Sequence, residues 1–417
     1  MEKSGKFRLT SLERNWILYD VGNSAFVLMV ATLIPIFFNA LAEAGGLSSV
    51  EYLAYWGYAS SAVTIITAVL SPILGTVADT KGFKKPIFIL CVFVGIVGCC
   101  AMGAASAWLP FLVIFVIAKV GFSGSLVFYD SMLSDVTTPE RMDEVSSRGY
   151  AWGYIGSCVP FVVCLGLVLG AGSIGISQMT ALNLALLLTA AWWLLTTLLL
   201  KSYKQLHYVE VEKHAVRQSF ARIGHTLRHL PEDKQVFWFL LAFFCYIDGV
   251  YTIIDMATAY GTALGLDTTG LLLALLVTQI VAFPSALIFG RLSNRYPSAK
   301  LIPVCIAAYA GIAVFAFFLT QQWQFWVLAV IVGMFQGGVQ ALSRSHFAKI
   351  IPPEKSGEYF GLFDICGKGA SFLGTMIVSV GSQLTGSANV GVGSLIVLFI
   401  VGFVLFRVSC KKEVVPE

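Results

Sequence analysis

Polar side chains of the kinds that bind solutes or carry protons form a stripe within an apolar stretch of the sequence. In "CYIDGVYTIID", Asp248, Tyr251, Thr252 and Asp255 stand at i, i+3, i+4 and i+7, which is one face of a helix. An ionisable group near a bilayer centre costs at least about 2.5–3.5 kcal/mol, so it usually faces a bundle interior and serves function. We expect Asp248, Tyr251 and Thr252 to contact a solute and Asp248 to exchange a proton. A permanent pair between Asp248 and a lysine across the bundle is the alternative.

Two lysines lie in apolar stretches. Lys119 has no acidic residue one helical turn away, so it needs a carboxylate from another helix or from a solute, and we expect it to contact a solute anion. Lys368 follows Asp364 by four residues, in the better orientation for an ion pair within one helix. A structural pair and a solute contact are equally open for Lys368. Gln336 is a further candidate solute contact.

The first apolar stretch also carries polar residues. In "NWILYDVGNSAF", Asp20, Asn23 and Ser24 stand at i, i+3 and i+4 and therefore share one helical face. We expect this face to line a central cavity, with Asn23 as a solute contact. Asp20 lies about one and a half turns after Asn15, nearer the cytoplasmic mouth than the midplane, and is a second candidate for proton coupling.

The elements that must position these residues are membrane-spanning helices. Of the 417 residues, 57% are hydrophobic and 12% are charged, whereas about a quarter of the residues in soluble domains are charged. Segments of about 20 apolar residues recur along the chain, and each is long enough to cross a bilayer as a helix. We predict an all-α polytopic membrane protein with twelve spans: 15–39, 52–78, 86–106, 108–134, 147–171, 177–200, 235–261, 268–292, 299–320, 323–349, 357–384 and 387–408.

The basic residues indicate an orientation. All but two of the 27 Lys and Arg residues fall on one side if the N-terminus is inside; the exceptions are Lys119 and Lys368. Because basic residues near span ends stay cytoplasmic, we predict that both termini lie in the cytoplasm. The chain length and the short loops favour a bacterial cell membrane, with an organelle membrane as the alternative. The net charge of +4 is thus a topology signal, and we expect no nucleic-acid partner. We also expect no metal or other cofactor and a monomeric chain.

The chain repeats itself. "GTVADTKGFKK" follows the second span and "GRLSNRYPSAK" follows the eighth, while "YDSMLSDVTTPE" ends the fourth and "SRSHFAKIIPPE" ends the tenth, at almost the same displacement. The polar connection 201–234 divides the chain into six spans plus six. We therefore predict an N-terminal six-helix bundle (1–200), a cytoplasmic linker (201–234) and a C-terminal six-helix bundle (235–417), an arrangement found in secondary transporters.

The loop after the second span resembles the signature loop of the major facilitator superfamily. The shared pattern is carried by Gly75, Asp79, Gly82 and Lys85, and the departure is Thr80, where the family usually has a basic residue. The resemblance implies that Asp79 faces the start of the eleventh helix and acts as a conformational latch. Free N–H groups at a helix start favour an anion there. A plain loop aspartate balanced by neighbouring lysines is the alternative.

More narrowly, "YDVGNSAF", "CYIDGVYTI" and "GGVQALSRSHFAKIIP" resemble the vacuolar effluxer-like branch of this superfamily, whose fungal members export amino acids from the vacuole. The repeat places Asp130 and Arg344 at matching ends of the fourth and tenth helices. We interpret this pair as a candidate intracellular gate, with contact to lipid headgroups as the alternative.

Together these features predict a transporter rather than an enzyme. We expect a secondary active transporter that moves a small polar solute, an amino acid or related metabolite, by alternating access, with proton coupling as an addition. A lipid-handling protein or membrane-embedded enzyme is an alternative, although the sequence shows neither metal-ligand spacing nor a nucleophile elbow. A non-transporting sensor with a transporter fold is the other alternative.

Overall fold

The structure is a computed structural model that describes residues 7–210, 223–226 and 228–411, apart from the side chains of 49, 50, 53, 258, 259, 262, 263, 268, 269, 272 and 368–372. Within these ranges it contains twelve long helices and no β-strand. Their bounds are α1 Ser11–Ala44, α2 Ser49–Ala78, α3 Lys84–Ala104, α4 Trp108–Ser131, α5 Met142–Leu169, α6 Gln178–Leu199, α7 Lys234–Ala263, α8 Thr268–Leu292, α9 Ser298–Phe317, α10 Gln322–Ile350, α11 Ser356–Thr385 and α12 Ala388–Lys411.

These helices make the chain a multi-pass membrane protein. Eleven helices in the described residues are apolar and long enough to cross a bilayer. The twelfth, α11, has 30 residues, which corresponds to about 45 Å of helix. Large apolar side chains such as Ile65, Leu195 and Val304 remain exposed, as expected of surfaces that contact lipid. The prediction of an all-α polytopic protein is confirmed.

Two predicted spans are interrupted. The first extends beyond the expected 15–39 but breaks at Thr32, whose hydroxyl donates to the Leu28 carbonyl at 2.5 Å. Such bonding by a threonine competes with the helical ladder and can bend a helix. The last is divided into a short turn, Ala388–Gly393, and the main helix, Ile396–Lys411.

Local sequence signals start several helices. Thr10 and Glu13 form a capping box at the start of α1, in which each side chain accepts a hydrogen bond from the other residue's backbone N–H. Ser48 and Glu51 do the same for α2. Asp267 accepts a 2.7 Å bond from the Gly270 N–H at the start of α8. These caps satisfy donors that a helix leaves unpaired at its first turn.

Helix packing places the polar stripes together. In the first half of the chain, α1 packs against α5 and α6, and α4 packs against α2 and α3; in the second half, α7 packs against α11 and α12, and α10 against α8 and α9. Contacts between the halves join α2 with α11 and α5 with α8 and α10. Stacked rings fill the interior, for example Trp16 on Tyr129 (centroids 4.3 Å apart) and Phe243 on Phe363 (3.9 Å).

The sequence repeat reappears as a repeated helix contact. A Cβ on Gly75 would lie 2.1 Å from the Gly357 carbonyl oxygen, so only glycine allows α2 to meet the start of α11 this closely. Its counterpart Gly290 on α8 meets Ser147 near the start of α5, where an added Cβ would lie 2.8 Å from the serine Cβ. The two halves therefore touch at matching places, although the division at 201–234 itself stays a prediction.

Candidate transport site

The candidate site begins with a buried arginine at one end of the bundle. We call this end, where α6 ends and α7 begins, the linker side, and the opposite end the outer side. Arg344 on α10 is 2% exposed and donates to Asp130 on α4 at 2.9 Å. Its guanidinium lies 3.8 Å from Asp20 on α1, and it also donates to the hydroxyl and carbonyl oxygens of Ser146 on α5 at 2.9 and 3.0 Å. One cation thus ties the second half of the chain to three helices of the first.

Aromatic rings enclose this cluster. The Arg344 guanidinium lies 4.7 Å from the ring centre of Trp16 and 4.3 Å from that of Tyr150. Such cation–π contacts add about 2 kcal/mol when they are desolvated. A Cβ on Gly149 would approach both the guanidinium and the Asp20 carboxylate to 3.1 Å, so the missing side chain leaves room for the pair. The gate residues Asp130 and Arg344 are therefore in direct contact, together with Asp20.

Asp79 forms a second contact between the halves on the linker side. Its carboxylate oxygens accept hydrogen bonds from the N–H groups of Gly357 at 2.7 Å and Glu358 at 2.8 Å, at the start of α11. Lys84 lies 3.7 Å away. Loss of hydration on burial raises the pKa of Asp79 to about 7, although Lys84 and the two N–H donors oppose the rise. The geometry is what a latch requires, and the role remains a prediction.

The linker holds the loop that carries Asp79. The Val209 N–H donates to the Asp79 carbonyl at 2.8 Å, and the Gln205 amide oxygen accepts from the Gly82 N–H at 3.0 Å. Gly82 has φ +80°, a conformation that favours glycine. Lys85 donates to the Lys201 carbonyl at 2.5 Å.

Asp135, which follows α4, anchors the same linker segment. It is fully buried and accepts hydrogen bonds from the Tyr203 hydroxyl and from the backbone N–H groups of Leu206 (3.2 Å) and His207 (2.9 Å). Its carboxylate also lies 3.7 Å from the Lys84 ammonium and 2.9 Å from Nδ1 of the His207 ring. Asp135 was not among the residues predicted from the sequence, although it stands inside the repeated segment "YDSMLSDVTTPE". Burial of Tyr203 beside this carboxylate raises the pKa of the phenol.

The start of α5 makes further contacts across the halves that sequence reasoning missed. Asp143 accepts from Ser345 and pairs with Lys349, both at 2.6 Å. Glu144 accepts from Asn294 at 2.8 Å. Asn294 is the repeat counterpart of Asp79, which was a usable signal that α5 would be its partner.

The stripe on α7 divides between two environments. Asp248 is fully buried and accepts from the Gly374 backbone N–H on α11 at 2.8 Å and from Thr252 at 3.3 Å, while its second oxygen has no hydrogen-bond partner among the described residues. Tyr251 is half-buried, and Asp255 is exposed. In this conformation, the solvent-accessible carboxylate of the stripe is that of Asp255.

Lys119 faces Asp255 from the other half of the chain. Its ammonium lies 4.8 Å from the ring centre of Phe122 and 5.9 Å from that of Phe26. It is close enough to Asp255 for their charges to interact. Asp255 is therefore a candidate charge partner of Lys119, and the role of Lys119 as a solute contact stays a prediction.

The remaining candidates are partly buried in polar contacts. The Gln336 amide nitrogen donates to Gln279 at 3.2 Å, and the Asn23 amide donates to the Tyr19 carbonyl and to Asp20, both at 3.4 Å. The side chain of Lys368 lies outside the described residues. Within the described ranges, no group of three or more His, Cys, Asp or Glu side chains is placed to hold a metal ion.

Solved structures share this architecture and define the class of protein. The human organic anion transporter MFSD10 (TETRAN) superimposes with a TM-score of 0.72 at 14% identity, covering 94% of this chain and 99% of that one. The major facilitator superfamily transporter FucP in the outward conformation gives 0.70 at 16% identity, covering 96% and 97%. A bacterial homologue of the iron transporter ferroportin in the outward-facing state gives 0.69 at 15% identity, covering 96% and 99%. The fold is that of the major facilitator superfamily.

Sequence comparison gives the family. Residues 11–413 match the vacuole effluxer Atg22-like family, and the chain belongs to it. A relative in Bacillus subtilis (strain 168), the uncharacterized MFS-type transporter YxiO, is 42% identical over 404 residues, or 95% of this chain and 94% of that one. Autophagy-related protein 22 of Coccidioides immitis (strain RS) is 25% identical over 316 residues, and the match spans 64% of this chain and 51% of that relative. Family and fold are those of transporters, not enzymes.

Proposed function

We propose that this chain is a secondary active transporter that moves a small polar solute, an amino acid or a related metabolite, by alternating access. The observation that carries the proposal is the pair of charge contacts on opposite sides of the bundle. Arg344 closes the linker side against Asp130 and Asp20; Arg344 and Asp20 are buried, and Asp130 is partly buried. Asp255 lies in the outer part of α7, which ends at Ala263, and it is exposed. A transporter that alternates needs one closed and one open side.

The family name and the conformations of similar structures support this proposal. The family name describes a vacuole effluxer, and two of the similar structures are outward conformations of transporters. A closed linker side is the feature expected of an outward-facing state. We propose further that both termini are cytoplasmic, that the protein resides in the cell membrane as a monomer, and that 201–234 separates two six-helix bundles.

Proton coupling is proposed for Asp20. Two carboxylates, Asp20 and Asp130, face the single guanidinium of Arg344, so the cluster carries one excess negative charge when both are ionised. The Asp20 oxygen nearer the arginine has no hydrogen-bond partner among the described residues. A proton on one carboxylate neutralises the cluster, which is the charge change that would release the arginine on one side of the cycle. Asp248, with its own unpartnered oxygen, is the second candidate.

Uptake into proteoliposomes tests the proposal. The purified chain is reconstituted, and uptake of labelled neutral amino acids, short peptides and organic acids is measured with and without a pH gradient. We expect saturable uptake of at least one zwitterionic solute that a pH gradient accelerates. Failure to accumulate or exchange any of these solutes would favour a lipid-handling protein or a non-transporting sensor. Uptake that ignores the gradient would remove only the proton coupling.

A further inference from the structure

We infer that Asp255 is a specificity residue of the solute site, which it forms with Lys119 as a dipolar pair that receives a zwitterion. The inference rests on the proposed transport function and adds to it a residue and a rule of selection. In it, the solute's ammonium group binds Asp255 and its carboxylate binds Lys119. Asp248 then serves a separate role inside the second half of the chain.

The positions of the two charges support this assignment. Asp255 is on α7 and Lys119 on α4, and these helices belong to different halves of the chain. The two charges nonetheless interact. Asp255 is exposed and Lys119 is partly exposed, so both charged groups are accessible to solvent. Two accessible opposite charges from different halves of the chain are open to insertion of a small ligand between them.

The surroundings of Lys119 hold its ammonium in place. Phe122 lies one turn along the same helix, and Phe26 comes from α1; their ring centres are 4.8 and 5.9 Å from the ammonium nitrogen. Cation–π contacts of this length orient the cation without neutralising it. A carboxylate can therefore bind the ammonium while the rings remain in contact with it. The solute carboxylate would meet a positioned donor rather than a mobile side chain.

The α7 stripe explains why Asp255, and not Asp248, meets the solute. Asp248 is fully buried, and its first oxygen is bonded to the Gly374 backbone and to Thr252. Asp248 is therefore not accessible to a solute in this conformation. Asp255 stands two turns further along the helix and is exposed.

Charge balance gives the selection rule. In the empty site, Lys119 and Asp255 neutralise each other. A zwitterion replaces one ion pair with two, so no charge is left without a partner. An anion would pair with Lys119 and leave the Asp255 carboxylate unpaired, and a cation would leave the Lys119 ammonium unpaired. An unpaired charge that has lost part of its hydration raises the free energy of the complex, so the pair should select zwitterions over singly charged analogues.

Three probes of one solute skeleton test the inference: labelled leucine, N-acetyl-leucine as the anion and leucine methyl ester as the cation. Uptake and binding of each are measured with the full chain in proteoliposomes and in detergent. We expect the wild type to prefer leucine. Asp255→Asn should raise the KM for leucine about tenfold or more and improve the relative uptake of N-acetyl-leucine. Lys119→Gln should shift the preference toward the methyl ester.

Matched variants separate selection from folding. Asp255→Glu keeps the charge and should retain the preference for leucine. Glu43→Gln, which removes an exposed carboxylate near the outer end of α1, should leave all three KM values unchanged. Binding of the three probes is also measured, as a ligand-dependent shift in Tm. This measurement gives the preference among the probes even in a variant that no longer transports.

Two failures are distinguishable. If the wild type takes up zwitterions and Asp255→Asn keeps the wild-type KM and preference, the assignment of Asp255 is overturned and the transport function stands. If the wild type neither binds nor moves leucine or any other zwitterion in the wider panel, the proposed substrate class fails, and this inference fails with it.

Discussion

Arg344 and Asp130 are joined by a 2.9 Å charged hydrogen bond between residues that occupy matching positions in the two sequence repeats. Arg344 is buried and Asp130 is partly buried, and Asp20 approaches the same guanidinium. A contact between symmetric positions of duplicated halves is suited to a gate, because relative motion of the halves must break it. We interpret this cluster and the Asp79 contact as the closed state of the linker side.

Arg344→Ala should destabilise the protein and open the linker side. The substitution leaves the buried Asp20 and the partly buried Asp130 carboxylates without their cation. Removing one partner of a buried ion pair typically costs about 3–5 kcal/mol. The unfolding temperature in detergent is the measurement. Arg291→Ala, which removes an exposed arginine from the end of α8, is the matched control and should change it little. Equal Tm values for the two variants would contradict the role of Arg344.

Asp20→Asn should uncouple uptake from the pH gradient. The asparagine cannot be ionised, so the Arg344 cluster no longer gains or loses its excess charge. We expect exchange of labelled for unlabelled solute to continue while the stimulation by the gradient disappears. If Asp248→Asn abolishes the stimulation and Asp20→Asn does not, the proton is carried on α7 instead.

Acidification should favour the closed linker side through Asp79. Its pKa is about 7 in the closed state, whereas a carboxylate exposed to water by opening titrates near 4. Between these two values the closed state binds more protons, so it gains stability as the pH falls through 7 and loses it as the pH rises. Lys84, Glu358 and Asp135 are the charged groups that surround the carboxylate.

A distance measured between labels on the two halves at pH 5.5 and pH 8 checks this expectation. Asp79→Asn carries no titrating group and should flatten the pH dependence. A wild-type response that survives this substitution would assign the titration to another group.

Asp135→Asn should loosen the linker from the bundle. Asp135 accepts from Tyr203 and from the backbone N–H groups of Leu206 and His207, and an amide offers one acceptor oxygen in place of two. Each lost hydrogen bond to a charged group is worth about 1.5–3 kcal/mol, so hydrogen exchange at these amides should rise at least tenfold. Glu210→Gln removes an exposed carboxylate of the same segment and should not change their exchange. Unchanged exchange in Asp135→Asn would contradict the anchoring role.

The sequence was sufficient for the class of fold but not for the details of the site. Hydrophobic segment length predicts the helices, and the repeat brings Asp130 and Arg344 to comparable depths. The partners of Lys119 and Asp248 depend on how helices rotate and on how close the glycines allow them to come, which one sequence does not specify. The helical face of Asp248 therefore predicts a residue that lines the cavity. In the structure Asp248 is instead buried against the Gly374 backbone.

The residues that sequence reasoning missed share a location. Asp135, Asp143 and Glu144 lie at or beside helix ends on the linker side, where an acidic residue is ordinarily interpreted as solvated. Their burial arises only when the linker and the other half cover them. The repeat offered one signal for Glu144. Asp79 was expected to contact the start of α11, so its repeat counterpart Asn294 should contact the start of α5, where Glu144 lies.

Spin labels across the linker side test alternating access most directly. Glu140→Cys and Glu354→Cys place exposed labels on connections of the two halves, in a background without the nine native cysteines. We expect a short-distance population in the solute-free protein, a longer one that grows when zwitterionic solute is added, and a further increase in Arg344→Ala. A single distance that responds neither to solute nor to Arg344→Ala would contradict the account.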